Sequence, residues 1–339
     1  MKNINIENRG NSKVTNLSMI EAFGLTKRYG KTVALAGIDL QVPAGSILGF
    51  LGPNGAGKTT AIRILATIAL PDNGSARVAG FDVVSQAAEV RRNIGVAAQD
   101  ATLDNNLTGR QNLVMFGVLN GFHQSSATRR AKELLEQVEL ADSADRLVKT
   151  YSGGMRRRLD LAAAIVASPP VIFLDEPTTG LDPTVRQRMW NIIKGLVTDG
   201  VTILLTTQYL EEADALADQI AVIDHGKIIA QGTPAKLKAA TGSAVLEVTL
   251  SEQPHNGVEK ILKPFVEGPI NTSQDGRRLR APVRSSAGLA TTIVRALDSA
   301  GVMVDDVEVH QPSLDDVFFS LTGHPSSISN ASQTEGDLR

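Results

Sequence analysis

Nine consecutive residues carry the clearest chemistry in the chain: Gly52, Pro53, Asn54, Gly55, Ala56, Gly57, Lys58, Thr59 and Thr60. They fit G-x-x-x-x-G-K-[ST], a loop whose backbone N–H groups wrap nucleotide phosphates. Glycines let the backbone close around an anion without Cβ clashes. A helix starting beside them aims unpaired N–H groups and the positive dipole end at the same phosphates. Lys58 then reaches the β- and γ-phosphates, and the Thr59 hydroxyl sits on Mg²⁺. A bare glycine turn is the plain alternative, and context weighs against it. The apolar run Ile47, Leu48, Phe50, Leu51 predicts a buried strand before the loop, and Thr59 to Leu70 predicts a helix after it.

Asp175 and Glu176 follow the apolar run Val171, Ile172, Phe173, Leu174. That run lacks alternation, as expected of a parallel strand covered on both faces. Ligands of open α/β sheets bind at the carboxyl ends of such strands. In phosphate chemistry an acid there holds Mg²⁺ and a neighbour polarises water, so Asp175 is assigned to the metal and Glu176 to the water. Ser152, Gly153 and Gly154 form a second cradle: the serine caps a helix and the glycines bare its N–H groups. A cap alone does not require two glycines. Lys58 and Thr59 already hold one triphosphate, so the second cradle implies a partner subunit's ATP, in a head-to-tail homodimer around two ATP molecules.

These loops need a scaffold, and the pattern supplies an α/β one. Ile20 to Val42 reads as antiparallel strands, Pro71-Asp72-Asn73-Gly74 as a turn and Val78 to Val83 as a further short strand. Helical spacing runs from Leu107 to Leu147, so a helical subdomain is inserted at about residues 100–160. A hairpin turns at Asp224-His225-Gly226. The expected division is a disordered leader 1–18, a nucleotide-binding domain 19–242, a small α+β domain 243–323 and a disordered tail 324–339. The small domain reads β-α-β-β-α-β, a ferredoxin-like order, with a closing amphipathic helix over Leu314 to Leu321.

Composition narrows the class. The 339 residues are 42% hydrophobic and 21% charged, ordinary for a globular protein. A net charge of −2 gives no reason to expect nucleic-acid binding, and Arg156-Arg157-Arg158 reads as a solvated helical turn. With no cysteine, thiolate catalysis and cysteine metal sites are excluded. The longest apolar runs are far too short to span a bilayer.

Gly52 to Thr59, Gln99, Tyr151 to Met155, Val171 to Glu176 and Leu181-Asp182, in this order, resemble the ATPase subunit of an ABC transporter. The resemblance covers roughly Ile20 to Pro234. It implies a P-loop ABC ATPase core using ATP and Mg²⁺, working from the cytoplasmic face of the membrane with a separate permease. It also implies that Tyr29 stacks on adenine, that Gln99 touches Mg²⁺ and the attacking water, and that Asp182 contacts the opposite subunit. Taken alone, Tyr29 is an edge-strand aromatic and Gln99 a loop amide. Tyr151 and Met155 depart from the usual Leu and Gln at the ends of the signature, and Gln208 stands where the family carries a switch histidine. Gln donates a hydrogen bond to a phosphate but cannot shuttle a proton.

Thr206 to Asp214, Ile223 to Gly226 and Pro312 to Phe318 resemble the daunorubicin/doxorubicin-resistance type of exporter ATPase, which implies efflux of an antibiotic or other hydrophobic compound. Two other functions remain open at this level: a soluble ABC ATPase acting on nucleic acid or ribosomes, and a non-catalytic nucleotide-dependent regulator.

Overall fold

The structure, a computed structural model, describes residues 18–97, 103–240, 244–251, 257–273, 275–284, 288–310 and 313–322. The leader up to residue 17, Gln99 and the tail from 323 onward lie outside the described residues.

Three sheets organise the chain. The first is antiparallel: β1 (Ser18–Tyr29) lies between β2 (Thr32–Pro43) and β4 (Asn73–Val78), with β5 (Phe81–Asp82) at the edge. The second takes β3 (Ile47–Leu51), β6 (Ile94–Ala97), β7 (Val171–Asp175), β8 (Thr202–Thr207), β9 (Gln219–Asp224) and β10 (Lys227–Gly232) in the order β10-β9-β3-β8-β7-β6. Its pairs are parallel except β9 with β10, the hairpin at the edge.

The central strands are buried on both faces, and their alternation sorts side chains between two cores. Leu48, Phe50, Val171, Phe173 and Leu204 face the antiparallel sheet and helix α1 (Lys58–Leu65). Ile47, Leu51, Ile172, Leu174, Ile203 and Leu205 face the helices. Those helices are α3 (Gly109–Leu119), α4 (Gln124–Gln137), α5 (Gly153–Ala164), α6 (Pro183–Thr198), α7 (Leu210–Leu216) and α8 (Pro234–Ala240); α2 (Ala87–Arg92) precedes β6. Between β6 and β7 the described residues form α3, α4 and α5 with two short 3-10 turns and one isolated bridge, Thr108 with Leu147, where the 3.6-residue spacing predicts helices.

The third sheet has the order β12-β13-β11-β14, from β11 (Ala244–Leu250), β12 (Asn271–Thr272), β13 (Arg278–Val283) and β14 (Val304–His310), all antiparallel. With α9 (Val258–Leu262) and α10 (Leu289–Ser299) this completes β-α-β-β-α-β; the two-residue β12 left no readable pattern in the sequence. The last helix, α11 (Leu314–Thr322), turns away from this sheet's core. Its Leu314, Val317 and Phe318 join the core that holds α7 and α8.

Two boundaries differ from expectation. No single strand covers Val78 to Val83; β4 ends at Val78 and the chain turns at Ala79 and Gly80, both at positive φ. Asn73-Gly74, which resembles a turn, opens β4. A Cβ on Gly74 would lie 2.4 Å from the Gly24 carbonyl, so this glycine serves a close strand approach. The helix after the phosphate loop stops at Leu65 rather than Leu70, with Thr67 at φ 62° and Ile68 and Leu70 exposed.

Candidate functional site

The phosphate loop joins β3 to α1, the context its pattern requires. Two of its glycines have steric causes inside the chain. A Cβ on Gly52 would lie 2.2 Å from the Ile223 carbonyl oxygen, and one on Gly57, at φ +112°, would lie 2.4 Å from that of Ala34. Gly55, at φ +82°, meets nothing and is required only by its backbone conformation. Ala56 is buried, Thr60 half-buried, and Pro53, Asn54 and Gly55 form an exposed rim.

Beneath the rim, Lys58 is 5% exposed and donates to the carbonyls of Gly52 (2.7 Å) and Pro53 (3.2 Å). Its ammonium stands 3.7 Å from Glu176 Oε1. Burial holds the ammonium below its ordinary pKa, while Glu176 and Asp175 oppose that effect. The cation is thus held at the loop's base by groups a phosphate can replace.

Asp175 ends β7, beside β8, and Glu176 follows it. Asp175 Oδ1 accepts hydrogen bonds from the hydroxyls of Thr206 and, at 3.3 Å, Thr59. Glu176 is 7% exposed and sits at φ +51°, an uncommon conformation for a non-glycine residue. Its N–H donates to the carbonyl and hydroxyl oxygens of Thr206, each at 3.1 Å, and its Oε2 accepts from Thr179 at 3.2 Å. Neighbours therefore hold both ends of a strained residue, the usual condition for such backbone at working sites. Lys58, Thr59, Asp175 and Glu176 thus meet at one place.

The second cradle opens α5. Ser152 is exposed and its hydroxyl accepts from Met155 N at 3.2 Å. Gly153 meets nothing within 4 Å of a built Cβ, whereas one on Gly154 would lie 2.9 Å from Val185 Cγ1 on α6. One glycine is fixed by packing; the other fronts open space.

The family profile described as ABC transporter matches residues 35–179. Over 308 residues the chain is 50% identical to the daunorubicin/doxorubicin resistance ATP-binding protein DrrA of Streptomyces peucetius, covering 91% of this chain and 93% of that one. The chain belongs to the ABC transporter ATP-binding proteins. It is also 45% identical to the doxorubicin resistance ATP-binding protein DrrA of Mycobacterium tuberculosis, over 89% of this chain and 93% of that one. Identity to the Nod factor export ATP-binding protein I of Ralstonia nicotianae is 38%, over 88% of this chain and 92% of that protein. Among solved structures, cbiO1 from Clostridium perfringens, part of an ABC transporter complex, is 25% identical with a TM-score of 0.61, covering 66% of this chain and 91% of that one. A dimeric ATP-binding cassette bound to ADP and Pi shares the fold at 24% identity and a TM-score of 0.59, over 63% of this chain and 98% of that one.

The remaining sequence-predicted residues of this ABC ATPase are placed as follows. Tyr29 ends β1, is 49% exposed, and has Lys27 Nζ 5.5 Å from its ring centre. The hairpin it begins leads to Ala34, whose carbonyl faces Gly57. Asp182 caps α6, accepting from Val185 N at 3.0 Å. Gln208 follows β8 directly and is half-buried. Gln99 lies outside the described residues.

The departure at Tyr151 has a local cause. Its ring is buried, its hydroxyl donates to the Ser143 carbonyl at 2.6 Å, and Gly109 gives it room, since a Cβ there would lie 2.4 Å from that hydroxyl. The tyrosine thereby ties the start of α5 to the helical block. Arg158 corrects an expectation: it is not solvated but 8% exposed. It donates to the carbonyls of Val138 (3.0 Å) and Glu139 (3.1 Å), where α4 ends and the chain turns. Sequence reasoning also passed over Thr178, and it read Thr206 and Glu212 only as members of a longer motif, with no role of their own. Their one signal was polar character inside or beside otherwise apolar buried segments.

Proposed function

We propose that this ATP-hydrolysing subunit closes as a homodimer over two ATP molecules and drives a separate permease that exports an antibiotic or related hydrophobic compound. The observation that carries the chemistry is the convergence of Lys58, Thr59, Asp175 and Glu176 at the foot of the phosphate loop. In this reading Gly52 to Thr60 wraps the phosphates and Lys58 moves from the Gly52 and Pro53 carbonyls onto them. Tyr29, on the exposed hairpin, supports the adenine.

The donors suit Mg²⁺: the Thr59 hydroxyl and Asp175 carboxylate are hard oxygen ligands 3.3 Å apart, and this ion is usually held by one or two carboxylates plus phosphates. Mg²⁺ supplies charge neutralisation on the phosphates when bound. Gln99, outside the described residues, is assigned to the same ion by resemblance. Glu176 accepts the proton of the attacking water, and Gln208 donates a hydrogen bond to the γ-phosphate.

Ser152, Gly153 and Gly154 receive the partner's γ-phosphate, with Asp182 beside the dimer contact. The open front of Gly153 supports this, because nothing within the chain requires a glycine there. Among the described residues no helix is long and apolar enough to cross a membrane. By its resemblance to such subunits, it works as a peripheral protein on the cytoplasmic face, through its permease. The compound class rests on the names of the relatives, which favour export over a nucleic-acid or regulatory task.

Glu176→Gln tests the core of this. The variant is expected to bind ATP as the wild type does and to lose about 10²- to 10⁴-fold in turnover, the range of general-base catalysis. ATP should then shift it from monomer to dimer in sedimentation. Phosphate release at the wild-type rate would overturn the assignment. Daunorubicin efflux from cells carrying the chain with its permease, lost in the same variant, tests the export step.

A further inference from the structure

One buried carboxylate takes no part in this chemistry. Glu212, on α7, is fully buried, yet it follows Gln208 by only four residues. Its Oε1 accepts two hydrogen bonds, from the Thr178 hydroxyl at 2.8 Å and from Trp190 Nε1 at 3.2 Å. The Thr207 hydroxyl approaches the same carboxyl group, but Oε2 closes no hydrogen bond of standard geometry.

Each of these contacts belongs to a different working segment. Thr178 lies in the loop that leads from Glu176 to the start of α6, and its carbonyl accepts from Leu181 N at 3.2 Å, just before Asp182. Thr179, next to it, holds Glu176 Oε2. Trp190 is on α6. Thr207 precedes Gln208, and its hydroxyl accepts from Tyr209 N at 2.9 Å, bracketing Gln208 on both sides. Arg186 of α6 stacks 5.2 Å from the Tyr209 ring and pairs with Glu211 at 3.4 Å, adding a second link between the same elements.

A buried carboxyl group with an unpaired oxygen costs stability, and an apolar residue of similar size would often fold as well or better. Fold stability alone therefore does not account for an acid here. We propose that Glu212 is a positioning residue for ATP hydrolysis, fixing the Gln208 segment against the loop from Glu176 to Asp182 so that Gln208 and Glu176 face the γ-phosphate in register. The proposal rests on the roles given above to Glu176 and Gln208. Burial pushes the Glu212 carboxyl up from its ordinary pKa, against the nearby Thr207 hydroxyl and the hydrogen bonds from Thr178 and Trp190. A neutral carboxyl offers a donor at Oε2 beside the Thr207 hydroxyl, and a glutamine amide reproduces that donor and the acceptor at Oε1.

The test compares Glu212→Gln, Glu212→Leu and Thr178→Val in the full-length protein with its permease, measuring kcat, KM for ATP and melting temperature. Supporting residues of this kind change activity by about 10- to 100-fold when removed. Glu212→Leu is expected to lose about tenfold or more in kcat with little change in KM, while Glu212→Gln stays within about twofold of wild type. Thr178→Val, which keeps the side-chain shape, should lower kcat as well. The double variant Glu212→Leu/Thr178→Val should be no worse than Glu212→Leu alone, because the two residues share one contact. Wild-type kcat in Glu212→Leu, or losses that multiply in the double variant, would overturn the proposal. Should Glu212→Leu fail to fold, the kcat of Thr178→Val and Glu212→Gln decides the matter by itself. A wild-type complex that hydrolysed no ATP would instead count against the functional proposal.

Discussion

The two anion cradles of this ATPase are built on opposite plans. Around Gly52 to Thr60 nearly every requirement is met from within. Gly52 and Gly57 are pressed against the carbonyls of Ile223 and Ala34, Lys58 is tethered to its own loop, and Thr59 reaches Asp175. Around Ser152 to Gly154 the chain explains only half of what it carries. Ser152 caps its helix and Gly154 packs on Val185, but Gly153 fronts empty space at an ordinary φ. A glycine with no internal cause, at the exposed start of a helix, is what a site completed by another molecule would leave behind. The contrast separates residues that build a site from residues that wait for one.

Lys58→Ala probes the self-sufficient cradle and carries the largest expected effect in this comparison. The lysine is the buried cation nearest to Asp175 and Glu176, and removing one charge-stabilising group of this kind costs about 10²- to 10³-fold in turnover. ATP affinity should fall as well, since the loop loses its point charge. Both are read from phosphate release and nucleotide titration with MgATP. Unchanged affinity would mean that the loop's N–H groups carry the phosphates alone.

Gly153→Asp probes the open cradle, and its effect should be of another kind. The site has room for a side chain, and an acid in the first turn suits the helix dipole, so the melting temperature should not fall. ATP binding to the monomer should also persist. A carboxylate facing a partner's phosphate, however, is a like-charge contact that costs several kcal/mol. Nucleotide-dependent dimerisation and turnover are therefore expected to drop by at least about tenfold, one factor of ten per ~1.4 kcal/mol. A variant that dimerises and turns over like wild type would erase the distinction between the two cradles.

The same contrast governs what was legible in the sequence. The phosphate loop could be read because an anion wrapped by backbone fixes both residue types and spacing, and the flanking strand and helix follow hydrophobic period. The parallel strands could be read for the same reason, since burial on both faces leaves continuous apolar runs. Side-chain hydrogen bonds across elements leave no period. Thr206, which holds Asp175 and Glu176 together, is one of the two threonines that end β8. Glu212 looks like one of two neighbouring surface acids until α7 turns it inward while Glu211 stays out. Arg158 stands in a run of three arginines, and only the packing of α4 against α5 shows which one is buried. Asn73-Gly74 misleads because a glycine needed for close strand approach looks the same as one needed for a turn.

Gln208→His carries the smallest expected effect and tests where the proton goes. Gln208 extends from the end of β8, half-buried, directly after the Thr207 hydroxyl that caps Tyr209 N. A glutamine offers N–H donors to a phosphate oxygen at every pH of interest, whereas a histidine offers the same donor and also changes charge near pH 6.5. If Glu176 takes the proton from water, the two side chains differ only in that added charge. Turnover should then stay within about twofold of wild type at neutral pH, where imidazole is mostly neutral. The wild type should show no kinetic ionisation from this position between about pH 6 and 8. A gain of about tenfold on installing the histidine would show instead that proton transfer at this position limits the wild type. Glu176 would then no longer suffice as the base, and the self-contained cradle would lack one working part.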